Sequence, residues 1–162
     1  MKNVFLKRVA IVIIAVVTMS MSAFAQEKGD MAIGGSLVFG SGNGYGNVGL
    51  GGKFQYNVTN PIRLEGAFTY FFEKKNTSMW DLSANAHYLF KVADQITVYP
   101  LAGVGILGVS SYGHSDSDFG INLGGGLDYK LADNLFINAE LKFRVGGDWD
   151  RTMFGIGLGY RF

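Results

Sequence analysis

Few side chains in this chain could activate a nucleophile, because the sequence contains 2 histidines and no cysteine. His114 lies beside Ser111, Ser115 and Asp116, which are the residue types of an activated-serine hydrolase. Such a site needs a base that contacts the nucleophile and a third group that orients the base. The second histidine, His87, lies in an alternating apolar and polar segment, where a hydrogen-bonding role in a polar interior is expected. We therefore predict no catalytic residue and no enzyme.

A metal site is not indicated by the acidic residues. Asp116 and Asp118 could bind Ca²⁺, but this ion takes about 6–8 oxygen ligands, and two carboxylates in a loop supply too few. The lack of cysteine also excludes disulfides and a lipoprotein anchor. The sequence predicts no metal and no cofactor.

Most other charged residues occupy alternate positions in segments whose remaining positions are apolar. Lys53 and Glu65 lie on the same parity of two segments joined by a turn near Asn60, so we expect them to form an ion pair. The residues predicted to share this polar face are Lys53, Arg63, Glu65, Asp81, Asp128, Lys130, Glu140, Lys142, Arg144 and Arg161. Since unpaired buried charges are costly, this near-balanced set predicts a network of salt bridges.

The elements that carry these charges are predicted to be strands. Apolar residues recur with a period of two, and no helical apolar stripe of useful length follows residue 25. The predicted strands are residues 31–40, 47–58, 62–72, 79–90, 96–108, 119–130, 135–145 and 152–162. A tilted strand crosses a membrane in about 9–11 residues, whereas strands of a soluble sandwich average about 5–6. The prediction is an all-β fold: an eight-stranded antiparallel up-and-down transmembrane β-barrel.

The last strand shows the two faces most clearly. Its apolar residues are Phe154, Ile156, Leu158, Tyr160 and Phe162, and they alternate with glycines and one arginine. A face made mostly of glycine has too few side chains to cover a water-exposed side of the sheet. The apolar face is therefore predicted to contact lipid, and the other face to line the interior.

The amino terminus resembles a secretory signal peptide. Three cations within the first eight residues precede an apolar run at 9–17, and small residues at 23 and 25 follow. The run is shorter than the ~20 residues of a spanning helix. We predict a signal peptide at 1–25, cleaved between Ala25 and Gln26, and one barrel domain at 26–162.

Overall charge does not indicate a nucleic-acid partner. The chain has 14 Lys and Arg against 13 Asp and Glu. Nucleic-acid-binding domains usually concentrate basic residues on one face, and no such cluster follows the predicted signal peptide.

Three connections resemble one another, at 56–61, 90–95 and 129–134. Each begins with an aromatic residue and continues into a polar turn that contains Asn or Asp. We predict that they are periplasmic turns and that both mature termini are periplasmic. The alternate connections, at 41–46, 73–78, 109–118 and 146–151, are predicted to face the exterior. Aromatic residues near both ends of the strands predict two interfacial belts.

Pro100 interrupts the fifth predicted strand. Proline cannot donate to a strand ladder, and a closed barrel has no edge where it could be placed without consequence. We predict a bulge or irregular pairing near Tyr99 and Pro100, or a fifth strand that begins after Pro100.

The export signal, the period-two strands, the segment 98–105 and the Tyr-Arg-Phe terminus resemble small bacterial outer-membrane barrels of the OmpX and OmpA type. The resemblance implies a monomeric integral protein in contact with outer-membrane lipid and lipopolysaccharide. It also implies assembly by periplasmic chaperones and the barrel-insertion machinery, which reads the final strand at positions matching Gly157, Tyr160 and Phe162. Gly155 stands where the family usually has a polar residue, so recognition depends more on the terminal aromatics.

Function is predicted from the interior. An eight-stranded barrel is wide enough only for its own side chains or a small ligand. The sequence predicts a largely filled polar interior, with a role in envelope integrity or in surface interaction through short extracellular loops. The alternative is a narrow channel for small solutes or ions, which the inward glycines favour. A third interpretation is a lipid-modifying enzyme, because similar barrels include deacylases with His, Ser and Glu on the outer wall. The inward parity of Glu140 argues against it.

Overall fold

The computed structural model describes residues 28–42, 44–147 and 150–162, so the predicted signal peptide and the cleavage point at Ala25 and Gln26 lie outside the described residues. The β segments are β1 (Met31–Gly42), β2 (Tyr45–Asn57), β3 (Ile62–Lys74), β4 (Thr77–Tyr88), β5 (Phe90–Lys91), β6 (Ile96–Ser111), β7 (His114–Lys130), β8 (Leu135–Val145) and β9 (Arg151–Arg161). Across these three ranges, no helix is both long enough and apolar enough to cross a membrane.

The segments form one closed antiparallel sheet. Neighbouring strands pair in chain order, and β1 also pairs with β9, which joins the two ends of the meander. β4 and β5 both pair with β6, and β5 continues β4 after Leu89, so the barrel has eight strands. The predicted all-β, eight-stranded antiparallel barrel is confirmed.

The ladder is interrupted opposite Pro100. Pairing between β4 and β6 ends at His87 and Leu101, and it resumes in β5 at Phe90 and Val98. Two residues separate these pairs on each strand, so the register is unchanged and no residue is inserted. The expected irregular pairing is therefore present, but the expected bulge is not, because the missing proline N–H breaks the ladder without shifting it. The β3–β4 pairing does shift register, between Phe71 and Lys74.

One end of the barrel, which we call the terminus end, contains both ends of the barrel sheet and three tight turns. Phe162 N donates to Met31 O at 2.9 Å. The three turns share one hydrogen-bond pattern, in which Val58 N donates to Ile62 O, Val92 N to Ile96 O, and Leu131 N to Leu135 O, at 3.0, 3.0 and 2.8 Å. The similarity of these connections in sequence thus reflects a common turn geometry.

The opposite end, which we call the loop end, differs from the prediction in its third connection. Residues 109–118 were expected to form a loop, but Tyr112 and Gly113 alone make the turn, with φ of 50° and 81°. The flanking serines and aspartates continue β6 and β7, as in the pairing of Val109 with Asp116. β8 pairs with β7 only from Ile121 onward, so the β6–β7 hairpin extends beyond β8.

The two faces of the sheet have opposite chemistry. Large apolar side chains point outward, and Leu50 and Leu158 are each 54% exposed. Charged and amide side chains point inward, where Arg63, Asp81 and Arg144 are buried. An apolar cluster also lies inside the barrel toward the loop end, and it contains Val38, Phe71, Met79, Leu107, Val109 and Met153.

Candidate functional site in the barrel interior

The interior charges nearer the terminus end form what we call the terminus-side network. Lys53 on β2 lies between two carboxylates, with its Nζ 3.3 Å from Glu65 Oε2 and 3.4 Å from Glu140 Oε2. The β2–β3 register sets Gln55 opposite Glu65 on neighbouring strands, and Gln55 Nε2 donates to Glu65 Oε2 at 2.8 Å. The pair expected from sequence, Lys53 with Glu65, therefore lies within ion-pair distance, and Glu140 on β8 joins it from across the barrel.

Arg63 crosses the barrel from β3 to β7. Its Nη1 donates to Asp128 Oδ2 at 2.7 Å, while Nε and Nη2 lie 3.1 and 3.0 Å from His87 Nδ1. Tyr99 stacks on His87 with ring centroids 4.3 Å apart, and the Arg63 guanidinium lies 4.8 Å from the Tyr99 ring centre. Asn138 completes this contact set, because its Nδ2 donates to Asp128 Oδ1 and to the Tyr99 hydroxyl.

Glu65, His87 and Glu140 have ligand atoms within 4.8 Å of one another, which is a spacing found in metal sites. Two features make this set a poor metal site. Arg63 donates to His87 Nδ1, so the neutral ring carries its proton on Nε2, the nitrogen that faces Glu65 at 3.7 Å. The Lys53 ammonium is also already within ion-pair distance of both carboxylates. The cluster is better described as an internally neutralised ion-pair network.

A second group of charges lies nearer the loop end, and we call it the loop-side network. Asp81 on β4 contacts Arg144, and its Oδ1 lies 3.5 Å from Lys142 Nζ. Ser83 donates to Asp81 Oδ1 at 2.6 Å and accepts from Lys142 Nζ at 3.1 Å. Arg144 Nε donates to Asn122 Oδ1 at 3.2 Å. Both cations come from β8 and cross the barrel to reach β4.

Amide side chains connect the two networks. Asn85 Nδ2 donates to Glu65 Oε1 at 3.3 Å, and Asn122 Nδ2 donates to Asn85 Oδ1 at 3.0 Å. Because Asn122 also accepts from Arg144, a continuous set of hydrogen bonds runs from Glu65 to Arg144. Polar side chains therefore cross-link most of the interior between β3, β4, β7 and β8.

Two arginines on β9 lie over aromatic rings. Arg161, which was predicted to face inward, is half-buried with its guanidinium 5.0 Å from the Phe136 ring centre. Arg151 is buried with its guanidinium 4.7 Å from the Phe71 ring centre, and its Nη2 donates to Asn47 Oδ1. Arg151 was missed from the sequence because it was assigned to the connection at 146–151. Its inward parity with Met153 was the available signal.

Lys130 was predicted to face inward but does not join the interior charges. It is the last residue of β7, its side chain is 47% exposed, and its Nζ lies 3.5 Å from Asp133 Oδ1. Parity alone predicted the wrong environment, because Lys130 pairs with Phe136 at the rim of the barrel, where its side chain is exposed.

The cavities lined by described residues within the barrel are small, at about 30 and 10 Å³. A cavity of about 30 Å³ is lined by Lys53, Thr69, Glu140 and Lys142 on one side, and by the small residues of β1, β2 and β9 on the other. A larger vestibule of about 480 Å³ opens at the loop end above Met79 and Val109. The apolar cluster lies below the vestibule.

The candidate catalytic residues line that vestibule, but their hydrogen bonds go elsewhere. The Ser111 hydroxyl lies 3.1 Å from Thr77 Oγ1, and Asp116 Oδ1 accepts from the backbone N–H of Ser117 at 2.8 Å. His114 is exposed at the loop end, whereas Glu140 contacts Lys53 and Tyr99 inside the barrel. Within the described residues, no hydrogen bond links Ser111 or Ser115 to His114, or His114 to Glu140, as a nucleophile, base and carboxylate would require.

The residues of the predicted assembly signal lie on both faces of β9. Tyr160 and Phe162 are exposed on the outside and stack with ring centroids 6.4 Å apart. Gly157 faces inward against β1, and a Cβ at this position would overlap Gly35 O and Ser36. Gly157 therefore permits close approach of the two strands that close the barrel.

A closed antiparallel sheet with an apolar exterior and a hydrogen-bonded, charged interior defines a transmembrane β-barrel. The chain belongs to the outer membrane protein beta-barrel domain family, whose model matches residues 11–162, and it is an outer-membrane protein. It is 26% identical over 122 residues to outer membrane protein X of Escherichia coli strain K12, which covers 68% of this chain and 71% of that protein.

Solved structures show the same fold. The N-terminal β-barrel domain of Pseudomonas aeruginosa OprF has a TM-score of 0.70 and 21% identity, covering 85% of this chain and 100% of that one. Ail, the attachment invasion locus protein of Yersinia pestis, has a TM-score of 0.58 and 25% identity, covering 83% of this chain and 99% of that one.

Proposed function

We propose that this protein is a structural and surface-interaction barrel of the outer membrane. The proposal depends on the β6–β7 hairpin. β7 begins at His114, but β8 pairs with it only from Ile121, so residues 114–120 have one edge that no strand covers within the described residues. Near this edge, Tyr112 at the turn is 75% exposed and Phe119 is 60% exposed.

A strand edge of this kind can bind an extended segment of another protein by adding a strand. Exposed backbone groups supply the affinity, and neighbouring aromatic side chains such as Tyr112 add contact area. The attachment role printed in the name of Ail supports a role in surface contact. The cross-linked interior supports a rigid barrel that presents the hairpin in a fixed position and contributes to envelope integrity.

The orientation and assembly that we propose follow from the two ends. The three tight turns make the terminus end suitable for the periplasm, together with both mature termini, and the hairpin would then face the exterior. We propose that the signal peptide is removed between Ala25 and Gln26. Chaperones and the insertion machinery would then assemble a monomer in outer-membrane lipid and lipopolysaccharide, using Gly157, Tyr160 and Phe162. No catalytic role or nucleic-acid partner is proposed.

The experiment is capture of a phage-displayed random peptide library by the refolded protein in lipid nanodiscs. Replacing Ser117 with Lys places a charge on the open edge, which disfavours strand addition, so we expect peptide capture to fall at least tenfold. The matched control is Asp94→Lys, at an exposed position of the terminus end, which should leave capture unchanged. Equal capture by Ser117→Lys and the unchanged protein would reject the open edge as the binding surface.

The second candidate is a narrow channel, and the cavity beside Lys53 favours it. Gly155 lines this cavity, and a Cβ added there would meet Leu37 O and Val38 Cγ2 only at 3.7 Å. A channel along this wall would be blocked by Gly155→Leu but not by Gly52→Leu, since Gly52 faces outward into open space. Potassium flux from protein-containing vesicles distinguishes the two candidates. A channel should give flux that Gly155→Leu reduces, whereas a structural barrel should give no flux above that of protein-free vesicles.

A further inference from the structure

One side of the barrel interior is lined by small residues. The inward positions of β1 and β9 on this side are Gly34, Ser36, Gly155, Gly157 and Gly159, and we call them the seam. Amide and charged side chains of β3, β4, β7 and β8 fill the opposite side. Glycine has no side chain to fill the space in front of it, and two cavities lie against the seam. The terminus-side cavity has a volume of about 10 Å³, and the loop-side cavity has a volume of about 30 Å³.

Gln55 lines the terminus-side cavity and has a polar atom without a partner. The residue is 2% exposed, and its Nε2 donates to Glu65 Oε2 at 2.8 Å. A carboxylate accepts hydrogen bonds but does not donate them, so this contact fixes the orientation of the Gln55 amide. Gln55 Oε1 then has no hydrogen-bond partner among the described residues. A buried amide oxygen without a donor is unfavourable, so a group that donates to it would stabilise this part of the interior.

Lys53 also lines this cavity, but its donors are already used. Its Nζ lies 3.2 Å from Asn138 Oδ1, 3.3 Å from Glu65 Oε2 and 3.4 Å from Glu140 Oε2. An ammonium group has three N–H donors, and these acceptors match all of them. The Ser36 hydroxyl, which also lines the cavity, does not reach Gln55 Oε1. A molecule bound between Ser36 and Gln55 would supply the donor.

The loop-side cavity is bordered by two hydroxyl groups. Ser36 and the buried Thr69 both line it. A Cβ added to Gly51 would lie 2.9 Å from Ser36 Oγ and 3.1 Å from Thr69 Oγ1, so the two hydroxyls border the same gap above this glycine. Glu140 and Lys142 line the cavity as well, and they bring an acceptor and a donor. The absence of a side chain at Gly51 therefore leaves a space between polar groups.

Water fits these cavities better than an ion does. A site for one water needs about 10–15 Å³ and about two to four polar partners, so the terminus-side cavity suits one water and the loop-side cavity one or two. A monatomic anion has no hydrogen to donate to Gln55 Oε1, and the Lys53 ammonium repels a cation. Water both donates and accepts, and the terminus-side lining offers it Gln55 Oε1, the Ser36 hydroxyl and Asn138 Oδ1.

We propose that the seam binds ordered water at two sites. One molecule lies in the terminus-side cavity and donates to Gln55 Oε1, and one or two lie in the loop-side cavity against the hydroxyls of Ser36 and Thr69. These waters complete the hydrogen bonding on the side of the interior where β1 and β9 carry few large side chains. This inference does not depend on the surface role of the hairpin.

Apolar side chains border the seam at both ends. Toward the terminus end, the Phe136 ring covers Gly159, since a Cβ at Gly159 would overlap this ring. Toward the loop end, Val38 and Met153 line the loop-side cavity and belong to the apolar cluster. The waters therefore occupy fixed sites between apolar groups and do not form a continuous path along the barrel.

A high-resolution crystal structure of the refolded full barrel tests both sites. We expect density for one water within hydrogen-bond distance of Gln55 Oε1, and for at least one water that contacts the Ser36 or Thr69 hydroxyl. Gln55→Met should lose the first water and keep the second, whereas Thr69→Val should show the reverse, so each variant is the matched control of the other. Cavities without water density in the unchanged protein, or waters that stay in place in both variants, would overturn the proposal.

A stability measurement in lipid vesicles covers the case in which the variants do not crystallise. Valine has nearly the shape of threonine, so Thr69→Val would stabilise the barrel if the loop-side cavity were dry. With water bound there, the variant leaves that water with one partner fewer, and we expect the urea midpoint to fall. The control is Thr152→Val, at an exposed position on the outward face of β9, which should not lower the midpoint. A rise for Thr69→Val, or an equal fall in both variants, would overturn the proposal for the loop-side cavity.

Discussion

The two sides of the barrel interior both pair cations with carboxylates, but they differ in how many cations share one carboxylate. At the terminus side, Lys53 and Arg63 each reach a carboxylate within 3.5 Å, and aromatic and amide groups fill the remaining positions. At the loop side, Lys142 and Arg144 share one carboxylate, Asp81, beneath an apolar cluster. Inward parity places polar residues in the interior of both sides, but charge balance depends on which strands face each other across the barrel.

The largest expected effect comes from removing the shared carboxylate. Asp81→Asn leaves Lys142 and Arg144 without the carboxylate that both contact, so we expect the free energy of unfolding to fall by about 3–5 kcal/mol. Asp128→Asn should cost less, because Arg63 keeps its contacts with His87 and Tyr99. Urea unfolding in lipid vesicles, followed by tryptophan fluorescence, measures both. A larger loss in Asp128→Asn would reverse the comparison between the two sides.

A smaller effect is expected for one ion pair of the terminus side. A double-mutant cycle with Lys53→Met and Glu65→Gln should give a coupling free energy of about 2–3 kcal/mol, because both groups are buried and in contact. The same cycle at the exposed pair of Lys130 and Asp133 should give about 0.2–1 kcal/mol. Equal coupling in the two pairs would mean that the interior behaves like the solvent-exposed surface.

The smallest effect tests Gly157, which lies on the inner face of the sheet at the junction of β1 and β9. Gly157→Ala places a Cβ against Gly35 O and Ser36 at the β1–β9 junction, so we expect a loss of about 1–2 kcal/mol from overpacking. Gly52→Ala faces open space on the lipid side and serves as the control. The same unfolding assay measures both variants. An equal change in the free energy of unfolding would show that the β1–β9 junction can accommodate the added Cβ.

The fold was predictable because strand periodicity is local information. Alternation of apolar and polar residues predicted eight spanning strands, and three turns of similar sequence have the same hydrogen-bond pattern. The ion pair between Lys53 and Glu65 was also predictable from the sequence, because the turn between β2 and β3 determines the register of the hairpin.

Contacts across the barrel were not predictable. Arg63 on β3 meets Asp128 on β7 only because the closed sheet has a particular strand tilt and stagger, which no local pattern reports. The sequence therefore indicated which residues lie in the interior, but not which of them contact each other across the barrel.

The loop end shows a second limit. The serines and aspartates at 109–118 have the composition of a loop, yet a two-residue turn at Tyr112 and Gly113 lets them pair as strands. Arg151 shows the same limit, because its place in a polar connection hides the inward parity that it shares with Met153. Lys130 shows the opposite error, since its parity is inward but it lies at the rim of the barrel, where its side chain is exposed.

Side chains fill the barrel interior, and their hydrogen bonds and ion pairs should block passage through it. Single-channel recording of the refolded protein in a planar bilayer tests this, once a shift between boiled and unboiled samples on a gel shows that the barrel is folded. We expect folded protein that gives no conductance steps. Reproducible steps that change with Lys53→Met or Glu65→Gln would contradict it and establish a narrow channel controlled by the interior ion pairs.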